Sequence, residues 1–361
     1  MNIYEGVVEF YNQHGEGVVL NNKKPYYVYG AIIGEKIKYQ ILKEFKTYGI
    51  AQLMEIIEKS KNRIDHNIKD AHLIGGYDLI HMNEGEQKNF KVNRVKNDFK
   101  KIAQYELDNI EWFAGKNKFK YRNKITLHDG FFYQKNSKTK IVINDFLLSS
   151  IKWDPNLMGD IIYRQLDTLI YGTKNEKKYT SDTLFGFKFR VGLNSFYQIN
   201  KEVTKYAYQF IRENIIKEAN TLDLYCGIGT ISIILSPFSK KVIGVEINKE
   251  SYEDAIYNKK INKIDNVDFI NKSVDQFVCI NDTHFENIIL DPSRKGVGKQ
   301  TIQKIINDFS PERIIYMSCN PATQASDFSY LKDFYQLDKI VVLDMFPQTY
   351  HIETIIVLSK K

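Results

Sequence analysis

Cysteine is scarce in this chain of 361 residues, with only Cys226, Cys279 and Cys319. An odd, scattered set argues against a disulfide framework and offers too few thiolates for a dedicated zinc site. Long hydrophobic runs are also missing, and none approaches the roughly 20 residues that a membrane span needs. The opening MNIYEGVVEF lacks the basic start and apolar middle of a secretory signal. A cytoplasmic protein with no membrane partner is therefore expected. There is no internal repeat and no low-complexity linker.

Charge is present but uneven. The formal net charge is +7, a lean toward polyanionic partners that matters only where it is concentrated. Residues 1–60 carry seven Lys and seven Glu, whereas residues 61–145 hold 17 Lys/Arg against 11 Asp/Glu. Within the second region lies KNKFKYRNK, with cations at Lys116, Lys118, Lys120, Arg122 and Lys124. On a strand, this alternation places all five on one face, with Phe119 and Tyr121 on the other. Such a face is either the solvated side of an edge strand or a ribbon that tracks phosphates.

Three regions differ in pattern. Residues 1–58 contain short β-type runs at about ten-residue spacing, which suggests a small barrel. Residues 59–190 are mixed, with a helical stretch around Phe90, Val95 and Phe99 followed by strand-rich sequence. From residue 191 helix and strand alternate, beginning with a helix capped by Asn194 or Ser195. The apolar runs KVIGVEIN, NIILDPS, RIIYMSCN, KIVVLDMF and IETIIVLS fit strands buried on both faces of a doubly wound sheet. Only PQTYH separates the last two, too little for a crossover helix, so the final strand runs antiparallel. That arrangement is the signature of a methyltransferase sheet rather than of a dinucleotide-binding one.

The first turn of this sheet, DLYCGIGT, places Gly227 and Gly229 where the backbone passes close to a ligand, and Glu246 ends the next strand in the position of an acid that accepts ribose hydroxyls. A dinucleotide fingerprint wants a third glycine where this chain has Ser232, and S-adenosylmethionine, which has no pyrophosphate, does not. The missing glycine, Glu246 and the antiparallel last strand favour S-adenosylmethionine. Asp275 is a candidate for the adenine amine or an ordinary acid at a helix start. Asp291, closing the fourth strand, suits the methionine ammonium or a target base, or simply initiates an Asp-Pro turn.

Chemistry is placed at the carboxyl ends of such strands, and Cys319 ends the fifth. The C5 carbon of a pyrimidine is too weak a nucleophile to take a methyl group unaided. Adding a thiolate at C6 generates an enolate that reacts at C5, and a base must then remove the C5 proton. Cys319 fits the thiolate, with a pKa expected to be lowered by a neighbouring arginine or sulfonium, or by the backbone N–H groups after Pro321. Glu353, a charge near the start of an otherwise apolar last strand, fits the base. Cys226 reads as packing, Cys279 as filler and His351 as structural.

The motifs SFYQIN, LYCGIGT, DPSRKG, SCNPAT and FPQTYHIET, in this order, resemble the signatures of the RNA uracil-C5 methyltransferases, and the likeness spans the chain. It implies three domains: a TRAM-like, OB-like RNA-binding barrel at 1–58, an α+β RNA-binding domain at 59–190, and a Rossmann-like α/β methyltransferase domain at 191–361. It implies Cys319 as nucleophile, Glu353 as base, and Gln198, Tyr225, Glu246 and Asp291 around S-adenosyl-L-methionine, with Arg294 as a substrate-side cation. The YRNK segment resembles the family's RNA-side segment, so Lys118, Lys120, Arg122 and Lys124 are the RNA-binding candidates. Many ribosomal-RNA members carry a CGGC cysteine set that ligates an iron–sulfur cluster. Here the matching text is Ile74-Gly75-Gly76-Tyr77, with Ile68 upstream. Without thiolates, no cluster and no metal are expected. The expected function is C5-methylation of a uridine in 23S ribosomal RNA by a monomer. The alternatives are the same chemistry on the T loop of tRNA, or a catalytically silent RNA-binding protein.

Overall fold

The N-terminal strands alternate inward and outward side chains, and they close. The computed structural model describes residues 2–280 and 284–361. In it β1 (Ile3–Tyr11), β2 (Gly17–Asn21), β3 (Lys24–Val28), β4 (Lys36–Glu44) and β5 (Gly49–Glu58) form a closed barrel in the order β1-β2-β3-β5-β4. Val8, Val19, Tyr26, Val28, Ile37, Tyr39 and Ala51 fill its interior. Burial of one face of each strand is what fixes the register.

The chain divides into two units. The first comprises Met1–Arg94, Tyr133–Val142 and Phe346–His351; the second comprises Val95–Phe132, Ile143–Met345 and Ile352–Lys361. In the first unit, Glu35 is wholly buried and accepts Arg63 Nε (2.7 Å) and Nη2 (2.6 Å), together with the amides of Ile32 (2.9 Å) and Ser60 (3.1 Å). This pair ties the β3–β4 turn to the chain leaving the barrel. Helix α1 (Glu84–Asp98) supplies Gln87, which exchanges hydrogen bonds with Gln348: its Nε2 donates to Gln348 Oε1 (3.0 Å) and its Oε1 accepts the Gln348 amide (3.1 Å). Tyr77 and Ile74, at the CGGC-like position, are buried.

The second unit holds β6 (Ile110–Ala114), β7 (Lys124–His128), β10 (Asp160–Gln165), β11 (Leu169–Gly172), β12 (Tyr179–Leu184) and β13 (Phe187–Gly192); the short β8 (Phe132–Tyr133) has one residue in each unit, and β9 (Lys140–Ile141) belongs to the first. Of these, β11, β10 and β7 form one small sheet, and β12 pairs with β13. The run 116–123 is not a strand. It is irregular, with Lys120 in a left-handed conformation (φ 54°), and regular pairing starts only at Lys124. Phe119 is exposed and Tyr121 buried, so the expected two-faced ribbon is absent. The backbone here turns instead to reach residues 147–148, where Lys120 and Arg122 donate their amides to Leu147 O and Leu148 O (both 2.8 Å).

The remaining elements are α2 (Lys201–Asn214), β14 (Ala219–Leu224), α3 (Thr230–Leu235), β15 (Ser239–Glu246), α4 (Lys249–Ile261), β16 (Val267–Asn271), α5 (Val274–Ile280), β17 (Asn287–Leu290), α6 (Lys299–Lys304), β18 (Arg313–Ser318), α7 (Pro321–Leu331), β19 (Tyr335–Asp344) and β20 (Glu353–Lys360). The sheet order is β16-β15-β14-β17-β18-β20-β19-β6. As expected, β20 is antiparallel to both neighbours. The strand IEWFA (β6) adds an eighth member, parallel to β19, that the charged sequence around it did not announce. Helix α2 begins later than expected. Its cap is Asn200, whose side chain accepts from Val203 N (3.4 Å), because Asn194 and Ser195 lie in an irregular segment with other partners.

Replacing Arg63 with Met strips the buried Glu35 carboxylate of its counter-charge. Urea unfolding followed by circular dichroism should show a loss of about 3–5 kcal/mol; a loss below about 1 kcal/mol would mean that the pair is not what fastens this turn.

Candidate active site

Parallel strands present their carboxyl ends along one edge of a sheet, and an antiparallel strand presents its amino end there. Asp291 follows β17 and Cys319 follows β18, while Glu353 begins β20, so all three arrive at the same edge. Ser318 is paired with Thr354. Cys319 directly follows Ser318 and Glu353 directly precedes Thr354, so both leave this last pair at the same end of the ladder. The pair is locked from behind. The Thr354 hydroxyl lies 3.1 Å from Ser318 O and 2.7 Å from Gln324 Oε1, and Gln324 Nε2 donates to Tyr316 O at 2.8 Å.

The corner is partly closed, with Glu353 buried and Cys319 and Asp291 half-buried, and its charges are unbalanced. Glu353 is 3% exposed. Burial pushes its carboxyl well above the carboxylate range, Asp291 adds to the shift, and Arg294 opposes it. Asp291 is pushed up to about 7, by burial first and by Asp223 second. Cys319 is half-buried. Its thiol is pushed up to about 11 by burial, with Glu353 and Asp291 adding to the rise and Arg294 pulling against it. The expected lowering is thus reversed. Arginine acts in the expected direction, but desolvation of the thiolate and the adjacent carboxylates outweigh it. The buried Tyr208 hydroxyl feels the same acids, and burial followed by Asp291, Asp223 and Glu353 raises its pKa.

Arg294 is held by its backbone. Its carbonyl accepts Asn320 Nδ2 (3.1 Å) and the Thr323 hydroxyl (3.3 Å). The turn that follows is anchored on buried Asp327 of α7, which accepts Val297 N (2.8 Å), Gly298 N (3.0 Å) and the Tyr316 hydroxyl (2.7 Å). The SCN sequence therefore serves twice: Cys319 enters the corner, and Asn320 both caps α7 through Ala322 N (3.3 Å) and fixes the loop bearing the cation.

Beside the corner lies a narrow cleft of about 40 Å³, lined by Gln198, Tyr208, Tyr225, Gly227, Ile231 and Asp291 among others. The structure thus gathers four of the six cofactor candidates. A fifth, Glu246, braces the same turn, its Oε2 accepting Gly227 N (2.9 Å) and its Oε1 Asn248 N (2.6 Å). Tyr225 takes a left-handed backbone (φ 68°), which is costly for a side chain of this size and common at functional turns. Asp275 stands apart. It bonds the Thr301 hydroxyl, lines a separate cavity between α5 and α6, and acts on the Tyr225 phenol by charge alone. Sequence reasoning missed Tyr208 and Asp223. Asp223 is fully buried, bonded by Ser232 Oγ (2.5 Å) and pushed up to about 7 by burial. Its signal was available, since it is an acid inside an apolar strand, as Glu353 is.

Among the RNA candidates, Lys120 is exposed, and Lys118, Arg122 and Lys124 are partly covered. Lys124 turns inward, with its ammonium 3.4 Å from Asn194 O and its pKa lowered to about 8 by burial and then by Arg164. Among the described residues no group of three His, Cys, Asp or Glu is placed to hold a metal, and no helix is long and apolar enough to cross a membrane.

Comparison with known proteins gives concordant results. The sequence model of the tRNA (Uracil-5-)-methyltransferase family matches residues 175–361. An uncharacterised RNA methyltransferase from Mycoplasma mobile is 50% identical over 99% of both chains. Another, from Clostridium tetani, is 29% identical over 96% of this chain and 94% of its own. The fold is shared with the Pyrococcus abyssi tRNA (uracil-54, C5)-methyltransferase, solved with S-adenosyl-L-homocysteine. The TM-score is 0.79 at 22% identity, with 98% of this chain and 100% of that one covered.

Removing the cation that favours the thiolate should slow alkylation of Cys319. Peptide mapping after iodoacetamide treatment at pH 8 should show Arg294→Gln several-fold slower than the parent chain, with Cys226 unreacted in both. Equal rates would show that Arg294 does not act on the sulfur.

Proposed function

The chain belongs to the tRNA (Uracil-5-)-methyltransferase family and is an RNA uracil-C5 methyltransferase, and from that premise we propose that Cys319 and Glu353 carry the reaction on a uridine of 23S ribosomal RNA. The observation that supports the assignment is that Cys319 and Glu353 flank the paired Ser318 and Thr354, and that the charges of Glu353 and Asp291 act on the thiol.

S-adenosyl-L-methionine, when bound, supplies an electrophilic methyl group. The chemistry of the donor set fits it. Glu246 offers oxygen acceptors for ribose hydroxyls, and the half-buried Asp291, on which the buried Asp223 acts, gives the cleft a negative character that suits a sulfonium and an ammonium. Gln198, Tyr225 and Gly227 complete the wall, while Asp275 lines a separate cavity and acts only by charge on Tyr225.

The target base is flipped out of its stack to meet the thiol. Cys319 loses its proton to solvent, favoured by Arg294, and its sulfur bonds to C6, displacing an electron pair that makes C5 the nucleophile. Once C5 is methylated, Glu353 takes the C5 proton. The C5–H electron pair restores the double bond, and the S–C6 bond breaks to release the thiolate. A carboxylate whose pKa is raised by burial is a stronger base for that step. The barrel (1–58) and the central region (59–190) hold RNA by shape and phosphates, ahead of the catalytic part (191–361). Lys118, Lys120, Arg122 and Arg294 are the contacts on that side; Lys124 spends its ammonium on Asn194.

One observation favours a second substrate. Both the matched family and the Pyrococcus abyssi relative are named for tRNA, which makes a T-loop uridine the alternative target. Mapping 5-methyluridine in ribosomal and transfer RNA from cells with and without the protein separates them: loss from 23S RNA supports the first reading, and loss from tRNA alone replaces it.

RNA containing 5-fluorouridine tests the chemistry, because fluorine cannot leave as a proton does. With S-adenosyl-L-methionine, the parent chain should form a covalent adduct visible on denaturing gels, and Cys319→Ala should form none. On ordinary RNA, Glu353→Gln should accumulate the adduct and release product at least 100-fold more slowly. An adduct with Cys319→Ala would refute the nucleophile.

A further inference from the structure

Gln198 reaches the cleft from residues 194–200, a stretch with almost no regular structure, and its main chain is gripped from one side by the end of the small sheet. Lys124 Nζ stands 3.4 Å from Asn194 O, Arg164 Nη2 donates to Ser195 O at 2.5 Å, and Asn123 Nδ2 donates to Gln198 O at 2.9 Å. Three carbonyls within five residues are thereby fixed.

The cations in this grip are an unfavourable choice for stability. Lys124 and Arg164 are direct partners across the β7–β10 ladder, and like charges placed opposite one another repel. Arg164 is 0% exposed. No carboxylate is among its described hydrogen-bond partners, its Nε and Nη1 make no hydrogen bond among the described residues, and burial lowers its pKa to about 10. An apolar pair of similar volume would satisfy the ladder at lower cost. What such a pair could not do is hold two consecutive carbonyls of the segment ahead of Gln198.

We infer that Arg164 is a positioning residue for the cofactor-binding wall: with Lys124 and Asn123 it fixes the main chain of residues 194–198 so that Gln198 is preset for the cofactor. The opposite side of the segment is tied by side chains, through Ser195 Oγ to Asp254 (3.0 Å) and the Tyr197 hydroxyl to Asp182 (2.9 Å). Arg164 supplies the inner grip that these bonds lack. The inference rests on the proposed S-adenosylmethionine chemistry and concerns binding rather than the reacting atoms.

The test is calorimetric titration of the full chain with S-adenosyl-L-homocysteine, beside thermal melts. Arg164→Met should weaken binding at least tenfold, and Arg164→Lys, which keeps a donor, should recover part of the loss. The double change Lys124→Met, Arg164→Met removes the repulsion as well. It should melt no lower than the parent chain yet bind at least tenfold more weakly, a separation that a merely structural role would not give. In turnover, KM for S-adenosylmethionine should rise while kcat at saturation stays within threefold. A double variant that binds within twofold of the parent, or that fails to fold, overturns the inference. Failure of the parent chain itself to bind the homocysteine compound would instead count against the proposed cofactor.

Discussion

Carboxyl groups crowded together with little water around them cannot all keep a full charge, and the site is arranged around that constraint. On top of what burial imposes, Asp223 raises the proton affinity of Asp291, and Asp291 raises that of Glu353. Arg294 is the cation acting on both Glu353 and the thiol, which explains why so much of the nearby structure holds its loop still. Asn320 and Thr323 take its carbonyl and Asp327 takes the two amides beyond, so a flexible side chain is presented from a rigid base. The negative character left over has the sign that suits a positively charged methyl donor.

Much of this could be read along the chain because it broke local rules. Cys319 interrupts the end of an apolar run, and Glu353 puts a charge where an apolar strand expects Val or Ile. The short PQTYH link decided the direction of the last strand. Each signal is local, confined to a few neighbouring residues and the period of a strand.

What escaped depends on partners far away in sequence. The sign of the Cys319 shift is set by burial and by a carboxylate 34 positions later, so a nearby arginine was a poor guide. In IIYRQ, strand alternation sends Tyr163 inward and Arg164 outward, yet both are buried, because residues 194–198 cover that end of β10. The lysine run failed as a strand for a related reason: its backbone found partners at 147–148 rather than in a ladder. Asn200 displaced Asn194 and Ser195 as the cap because those two were committed to Lys174 and Asp254.

The central place of β20 in the sheet constrains which length changes the chain can accept. A single deletion within it, downstream of Glu353, would either send its apolar side chains to the wrong faces or turn the glutamate away from the sulfur. Losing two residues would restore the facing but slide the carboxylate about 7 Å along the strand. Natural variation in length should therefore collect in the loops, while the distance from the glutamate to the far end of its strand stays fixed.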